Sequence, residues 1–384
     1  MKSCRVAMVM GCPFPAAQGT QVLVEQMSRA LVNRGHDIHI VAYHFGDPAR
    51  TVDLTVHRAS GFPGYHRIRS GPDWRKPFLD WSLTRKLLKV VKDYDIQIIH
   101  AHNYEAPLAA YAVRRKTGVP VVYHAHNILG EELPTYFKKS WVKSRMQSLG
   151  YALDSYVPPR GDLCLSLTPG IQNALVSRGT HPEKSLHLPP AVEPISENNY
   201  SSFPTPTAVY QGNLDGYQNL DFLLDAWKSV VQTIPDAILL VVTHGDGSRF
   251  RSHVHRQGLS SHINVIDNIT FSDSLELLRR SSVAVNPRFG WWGFPIKSLN
   301  YMETARAIVS CRGSAHGLEH MKNAWVVDNR DLEHFAEAVI ELFKNPGLAH
   351  ELGSAARQTV RDQFSWQQNV TRIEDAYERV LSNA

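Results

Sequence analysis

Residues 96–126 read IQIIHAHNYEAPLAAYAVRRKTGVPVVYHAH. Two short apolar runs, IQIIHAH and PVVYHAH, flank the helical segment APLAAYAVRRKTG. Strand, helix and strand in direct succession form a crossover unit, which lays its strands parallel and covers both faces of the sheet. The same alternation extends outward in both directions. Upstream lie RVAMVMG, a helix over 19–35, DIHIVAYH, and a helix over 78–94; downstream lie DLCLSLT and PGIQNALVSRG. In the 19–35 helix Val22, Leu23, Met27, Ala30 and Leu31 recur at helical spacing, and Gly35 closes it.

Near 189–207 the pattern breaks into PPAVEPISENNYSSFPTPT, rich in Pro and Ser and without periodicity, which reads as a linker. A second alternating set follows: AVYQGN, a helix over 219–232, AILLVVTHGDG, a helix over 248–257, INVID, a helix over 272–281, VAVNPR, a helix over 296–305, AIVSC and AWVVD. A helical tail completes the chain. The expected fold class is α/β, two doubly wound domains, with units over 1–195 and 196–365 and a last helix over 366–384.

Composition excludes several classes. The 384 residues are 43% hydrophobic and 20% charged, ordinary for a globular protein. No apolar run reaches the roughly 18 residues that span a bilayer. The opening MKSCRVAMVMG is read as a buried first strand rather than a signal peptide. Four scattered cysteines lack CxxC spacing, so neither a disulfide framework nor a cysteine zinc site is expected. A net charge of +5 without a basic recognition motif argues against nucleic acid as a partner. The stretches 67–78 and 136–145 interleave Lys and Arg with Trp, Tyr and Phe. They are either solvated faces or a patch for an anionic membrane surface.

In open parallel sheets, ligands bind beyond the carboxyl ends of strands. At those places the chain offers Gly19 before a helix, where the N–H groups of Thr20 and Gln21 can face an anion. No dinucleotide fingerprint or Walker sequence is present. The tetrad HAHN occurs twice, at 100–103 and 124–127, and each pair of histidines shares a strand face. Four imidazoles could hold a metal, but no adjacent carboxylate or cysteine completes a ligand set. They could instead bond to neighbouring loops, or one could meet a sugar hydroxyl at the sheet mouth. In the second half Gly212 and Asn213, then His244 and Gly245, then Arg288 and Lys297 stand at successive strand ends. Glycine loops beside cations suit a diphosphate.

Taken together, RALVNRGHDIHIV, VVYHAHNILGEELPTYF, GNLDGYQNLDFLLDAWKSV, LLVVTHGDG, GFPIKSLNYMETARAIVS and NAWVVDNRDLEHFAEAVIELF, in this order, resemble the family-4 retaining glycosyltransferases over nearly the whole chain. The resemblance implies the GT-B architecture, two Rossmann-like domains facing across a cleft, with the last helix crossing back to the first domain. It implies a nucleotide sugar as donor substrate, with no separate cofactor and no metal. A glycan, lipid or small molecule would be the acceptor, and the enzyme would be cytoplasmic, at most peripheral on the inner membrane face. It places His126 near the transferred sugar and Gly19 at the donor phosphate. Gly212 opens the loop that in the family carries Arg and Lys; those places fall on Asn213 and Gln218. The family's Glu-x7-Glu pair falls on Trp292 and Asn300. Asn300 can still bond ribose hydroxyls, Trp292 can stack or pack, and Arg288 or Lys297 can replace the missing cations. The alternative is a pseudo-glycosyltransferase or a non-catalytic sugar- or nucleotide-binding subunit.

Overall fold

A computed structural model of the chain describes residues 3–48, 50, 52–66, 71–195 and 200–383. Part of the basic stretch at 67–78 and part of the linker at 189–207 therefore lie outside the described residues. The chain divides into two compact units. The first comprises Met1–Pro190, Trp292–Phe294 and Trp366–Ala384; the second comprises Ala191–Trp291 and Pro295–Ser365.

The first unit is built on seven parallel strands: β1 Arg5–Met10, β2 Asp37–Ala42, β3 Thr55–Arg58, β4 Ile98–His102, β5 Val121–Ala125, β6 Leu163–Ser166 and β7 Ser185–His187. Their spatial order is β3-β2-β1-β4-β5-β6-β7. The reversal at β1–β4 is the switch point where strand ends of a doubly wound sheet open to a ligand. β4 and β5 are buried along their whole length, which explains their unalternated apolar sequence. The helix between them, Glu105–Thr117, stops at Gly118, whose φ of +75° is left-handed. β1 is likewise buried beyond its first residue, as a first strand should be.

The second unit holds β8 Thr207–Gln211, β9 Ile238–Val242, β10 Ile263–Ile266, β11 Val283–Asn286, β12 Ala307–Cys311 and β13 Trp325–Val327, in the order β10-β9-β8-β11-β12-β13. Every strand pairing in it is parallel. The helix Leu220–Thr233 buries Leu220, Leu223, Leu224, Trp227 and Val230, one stripe at three- and four-residue spacing. Two Rossmann-like domains of this kind make a GT-B fold.

The helix Trp366–Ser382 packs within the first unit. Arg34 Nη2 lies 2.8 Å from Glu374 Oε2, and His36 Nε2 lies 3.1 Å from Glu374 Oε1. No helix among the described residues is long and apolar enough to cross a membrane.

Candidate functional site

At the carboxyl end of β5 the chain emerges as His126, 7% exposed. Its Nε2 lies 3.0 Å from His102 Nδ1 at the end of β4. Its Nδ1 lies 3.4 Å from the Thr20 hydroxyl, one residue into the helix Gly19–Asn33. The glycine loop and the histidine singled out in the sequence are thus neighbours. No side chain caps that helix start, which leaves its first N–H groups to an outside acceptor. Burial pushes the His126 imidazole down to about 3, so it works as a neutral donor or acceptor, not as a cation.

Trp292–Phe294, part of the first unit, reach the same strand end. Trp292 O accepts from Ile128 N at 3.0 Å, and Gly293 pairs with Asn127 in an antiparallel bridge. Trp292, expected to stack on a sugar or to pack, therefore helps build the segment that follows His126.

In the second unit, Gly212 follows β8 with φ of +148°. A Cβ there would stand 3.2 Å from Tyr210 Oη and 3.6 Å from Lys297 Nζ, so glycine keeps the space beside the amine open. Lys297 Nζ donates to Gln218 Oε1 at 2.8 Å and lies 4.0 Å over the Tyr210 ring. Gln218 Nε2 donates to Asn213 Oδ1 at 3.0 Å, and Asn213 Nδ2 donates to Tyr217 Oη at 2.7 Å. The Arg288 guanidinium lies 5.3 Å from the Tyr217 ring centroid. Five expected residues, Gly212, Asn213, Gln218, Arg288 and Lys297, form one group. Burial, then the Arg288 charge, holds the Lys297 amine well below its usual range. Among the described residues no carboxylate pairs with Lys297. It is half-buried, held by Gln218 and the Tyr210 ring.

One expectation needs correction. The helix expected over 296–305 runs only from Lys297 to Glu303, so its dipole is short and the positive charge comes from side chains. Its one carboxylate does not replace the missing acids: Glu303 is buried against Arg361 Nη2 at 3.1 Å and Ile195 N at 3.3 Å. His244 donates through Nδ1 to the Ile269 carbonyl, 2.8 Å away. The neighbouring Gly245 has open space where a Cβ would be. Asn300 is half-buried on the short helix, with no side-chain partner among the described residues.

Sequence reasoning passed over a polar group beside the ends of β1 and β2. Tyr43 Oη donates to Asp80 Oδ1 at 2.5 Å, and Lys76 pairs with Glu105. Burial first, and the Glu105 charge with it, push the Asp80 carboxyl up to about 6, against the Tyr43 hydrogen bond and Lys76. A carboxyl raised on folding binds its proton more tightly in the folded state. Its contribution is therefore full below the unfolded value and is lost as pH rises through about 6. Asp80→Asn should flatten that fall, by up to about 3 kcal/mol, in denaturant melts compared at acid and neutral pH. An identical pH slope in both proteins would remove Asp80 as its source.

Two family models match the chain: "Glycosyltransferase Family 4" over residues 17–194 and "Glycosyl transferases group 1" over 205–345. A phosphatidyl-myo-inositol mannosyltransferase of Mycobacterium tuberculosis is 23% identical over 398 aligned positions, spanning 99% of this chain and 98% of its own. A sucrose-phosphate synthase from Thermosynechococcus elongatus superposes with a TM-score of 0.82 at 15% identity, covering 99% of this chain and 100% of that one. The Anabaena protein HepE, solved with UDP-glucose, gives 0.74 at 14% identity, with 98% and 99% covered.

Proposed function

The chain belongs to the family-4 glycosyltransferases, and we propose from this that it moves a hexose-type group from a nucleotide sugar, with retention of configuration, to an acceptor carried at an anionic membrane surface. The observation that carries the donor reading is the group around Lys297. Two cations, Lys297 and Arg288, stand close enough for one to depress the other, beside a glycine that leaves the amine uncovered. Such a place is relieved by an anion, and a diphosphate fits its charge and the adjoining amide and phenol donors. The cations do the neutralising that a metal performs elsewhere, so the donor is held without one.

Asn213 and Gln218 stand where the family has cations. Here they align the lysine rather than meet phosphate by charge, since their amides are already bonded to each other and to Lys297. Asn300 serves the ribose, and His244 and Gly245 line the neighbouring strand end. In the first unit, His126 serves the transferred sugar as a neutral hydrogen-bonding group, and Gly19 frees backbone N–H groups for phosphate. Retention follows if the departing phosphate takes the proton of the incoming hydroxyl. The protein then needs to position the donor and stabilise growing negative charge, tasks that need no carboxylate pair.

Donor binding is tested with UDP-, GDP-, ADP- and TDP-sugars, by thermal shift and by slow donor hydrolysis. One base should stabilise the protein and turn over, with the product anomer matching the donor by NMR. Neither stabilisation nor hydrolysis with any donor would favour the non-catalytic alternative.

The acceptor reading rests on the surface of the first unit and on the mycobacterial relative, named for a phosphatidylinositol acceptor. Trp74 is 78% exposed, Trp81 54% and Trp141 61%. Arg85 lies 4.9 Å from the Trp81 ring centroid and Arg145 5.4 Å from that of Trp141. Aromatic rings with cations alongside suit a peripheral position on the inner face of a membrane. The protein should co-sediment with phosphatidylglycerol vesicles and not with phosphatidylcholine alone. The Trp74→Ser, Trp81→Ser double variant should bind about tenfold more weakly; equal sedimentation with both lipids would remove the charge component.

A further inference from the structure

One buried group in the first unit lies behind His126 and was given no role of its own above. His100 and His102 lie on β4 and His124 on β5, where His102 and His124 are register partners. None of the three has exposed surface. The rings of His100 and His102 stack at 4.5 Å, and each lies 5.3 Å from that of His124. One ring nitrogen from each falls within 4.8 Å of those of the other two.

The hydrogen bonds divide the six ring nitrogens. His100 Nδ1 meets the Tyr377 hydroxyl at 2.7 Å, and His102 Nδ1 meets His126 Nε2 at 3.0 Å. His124 Nδ1 and His100 Nε2 meet each other at 3.2 Å. His102 Nε2 and His124 Nε2 are buried with no hydrogen-bond partner among the described residues. Buried polar atoms are seldom left so, and two in one cluster call for a ligand. Metal-binding histidines are usually held from behind through the ring nitrogen that does not bind, as Nδ1 of His100 and of His102 are here.

We infer that His100, His102 and His124, with one ring nitrogen each, form a binding site for a zinc-like divalent cation. Imidazole nitrogens without carboxylates select a borderline metal over magnesium or calcium. His-x-His on one strand, with a third histidine in register on the next, presents three ligands to one point, so the set needs no acid or thiol. Metal–nitrogen bonds of about 2 Å put ligand nitrogens about 3.3 Å apart, so the rings must close by on the order of 1 Å. His100 Nε2 and His124 Nδ1, 3.2 Å apart, already stand at the required ligand separation. A bound cation also fixes the His102 proton on Nδ1, which makes His126 accept at Nε2 and donate at Nδ1. That last consequence rests on the role proposed for His126; the site itself does not.

The test uses the untagged full chain, stripped with chelator and then equilibrated with zinc. One equivalent should remain per chain after gel filtration, measured by mass spectrometry of the metal. At hundredfold excess over its dissociation constant, zinc should raise the melting temperature by roughly 5 °C. Cobalt in its place should give the intense visible absorption of a four-coordinate site, three imidazoles and one water. His102→Gln and His124→Gln should each lose the equivalent, and His181→Gln, exposed and remote in sequence, should keep it. No retained zinc in the wild-type protein, or full retention in His124→Gln, overturns the site. Should both cluster variants fail to fold, the cobalt spectrum of the wild-type protein decides, a weak six-coordinate spectrum counting against it. Loss of activity in a His126 variant with one zinc still bound leaves the metal site standing, so the two readings fail separately.

Discussion

Turnover of the His126→Ala protein is expected to fall on the order of a hundredfold, the worth of one well-placed hydrogen bond at a charge-developing centre. The imidazole is neutral, because burial holds it near 3, so its contribution is a directed donor or acceptor and not a charge. Alanine also strands His102 Nδ1, which loses its partner at 3.0 Å. That costs about 1–3 kcal/mol of stability, so activity must be compared per folded molecule. Thr20→Val separates the two effects, since it removes only the 3.4 Å contact to Nδ1 and leaves the histidine in place. If His126 serves the sugar, Thr20→Val keeps most of the turnover, whereas His126→Ala loses kcat with little change in the donor KM. Unchanged kcat in folded His126→Ala would remove the histidine from the chemistry.

Much of the fold was legible because it is written locally. β4 and β5 are continuous apolar runs, the helix between them ends at a glycine with φ of +75°, and the parallel sheet follows from their succession. The short helix at 297–303 was overextended for an equally local reason. Its end is made by Ala305 at φ of +54°, with Ala305 N bonded to Met302 O and Arg306 N to Tyr301 O. A left-handed closure of this kind normally advertises itself with glycine; an alanine gives no such signal.

The site was legible as residue types and not as partnerships. Strand-end position marked Gly19, Gly212 and Lys297 one by one, and the family resemblance picked His126 out of the four histidines. Neither marked Thr20 against His126, or Tyr377 against His100, which are 106 and 277 residues apart in the chain. Tyr377 sits on an apolar helical stripe that announces burial, but only the docked helix shows what its hydroxyl meets. Nor did sequence show that Asn213 and Gln218 had become supports for Lys297, since that depends on where the 297 helix starts relative to Gly212. The three-histidine cluster is intermediate. The repeated HAH was visible, and the β4–β5 register brings the rings together.

Lys297→Ala should weaken binding of the nucleoside diphosphate by about thirtyfold, the loss of one charge-assisted bond worth about 2 kcal/mol. The amine is already oriented by Gln218 at 2.8 Å and by the Tyr210 ring, so little freedom is lost when a phosphate arrives. Its proton gives a second readout. In the free protein, burial and Arg288 hold the amine well below its usual range, which favours the uncharged form as pH rises. A diphosphate reverses that preference, so binding should take up a proton and tighten as pH falls. Calorimetry in two buffers of different ionisation enthalpy measures the uptake directly. Lys297→Met, which keeps the bulk without the charge, should lose both the affinity and the proton uptake, while Arg288→Lys should retain the uptake. Affinity unchanged in Lys297→Ala would move the diphosphate away from Gly212, and weakened affinity without any proton uptake in the wild-type protein would mean that the amine is charged throughout and meets the phosphate as an ordinary lysine.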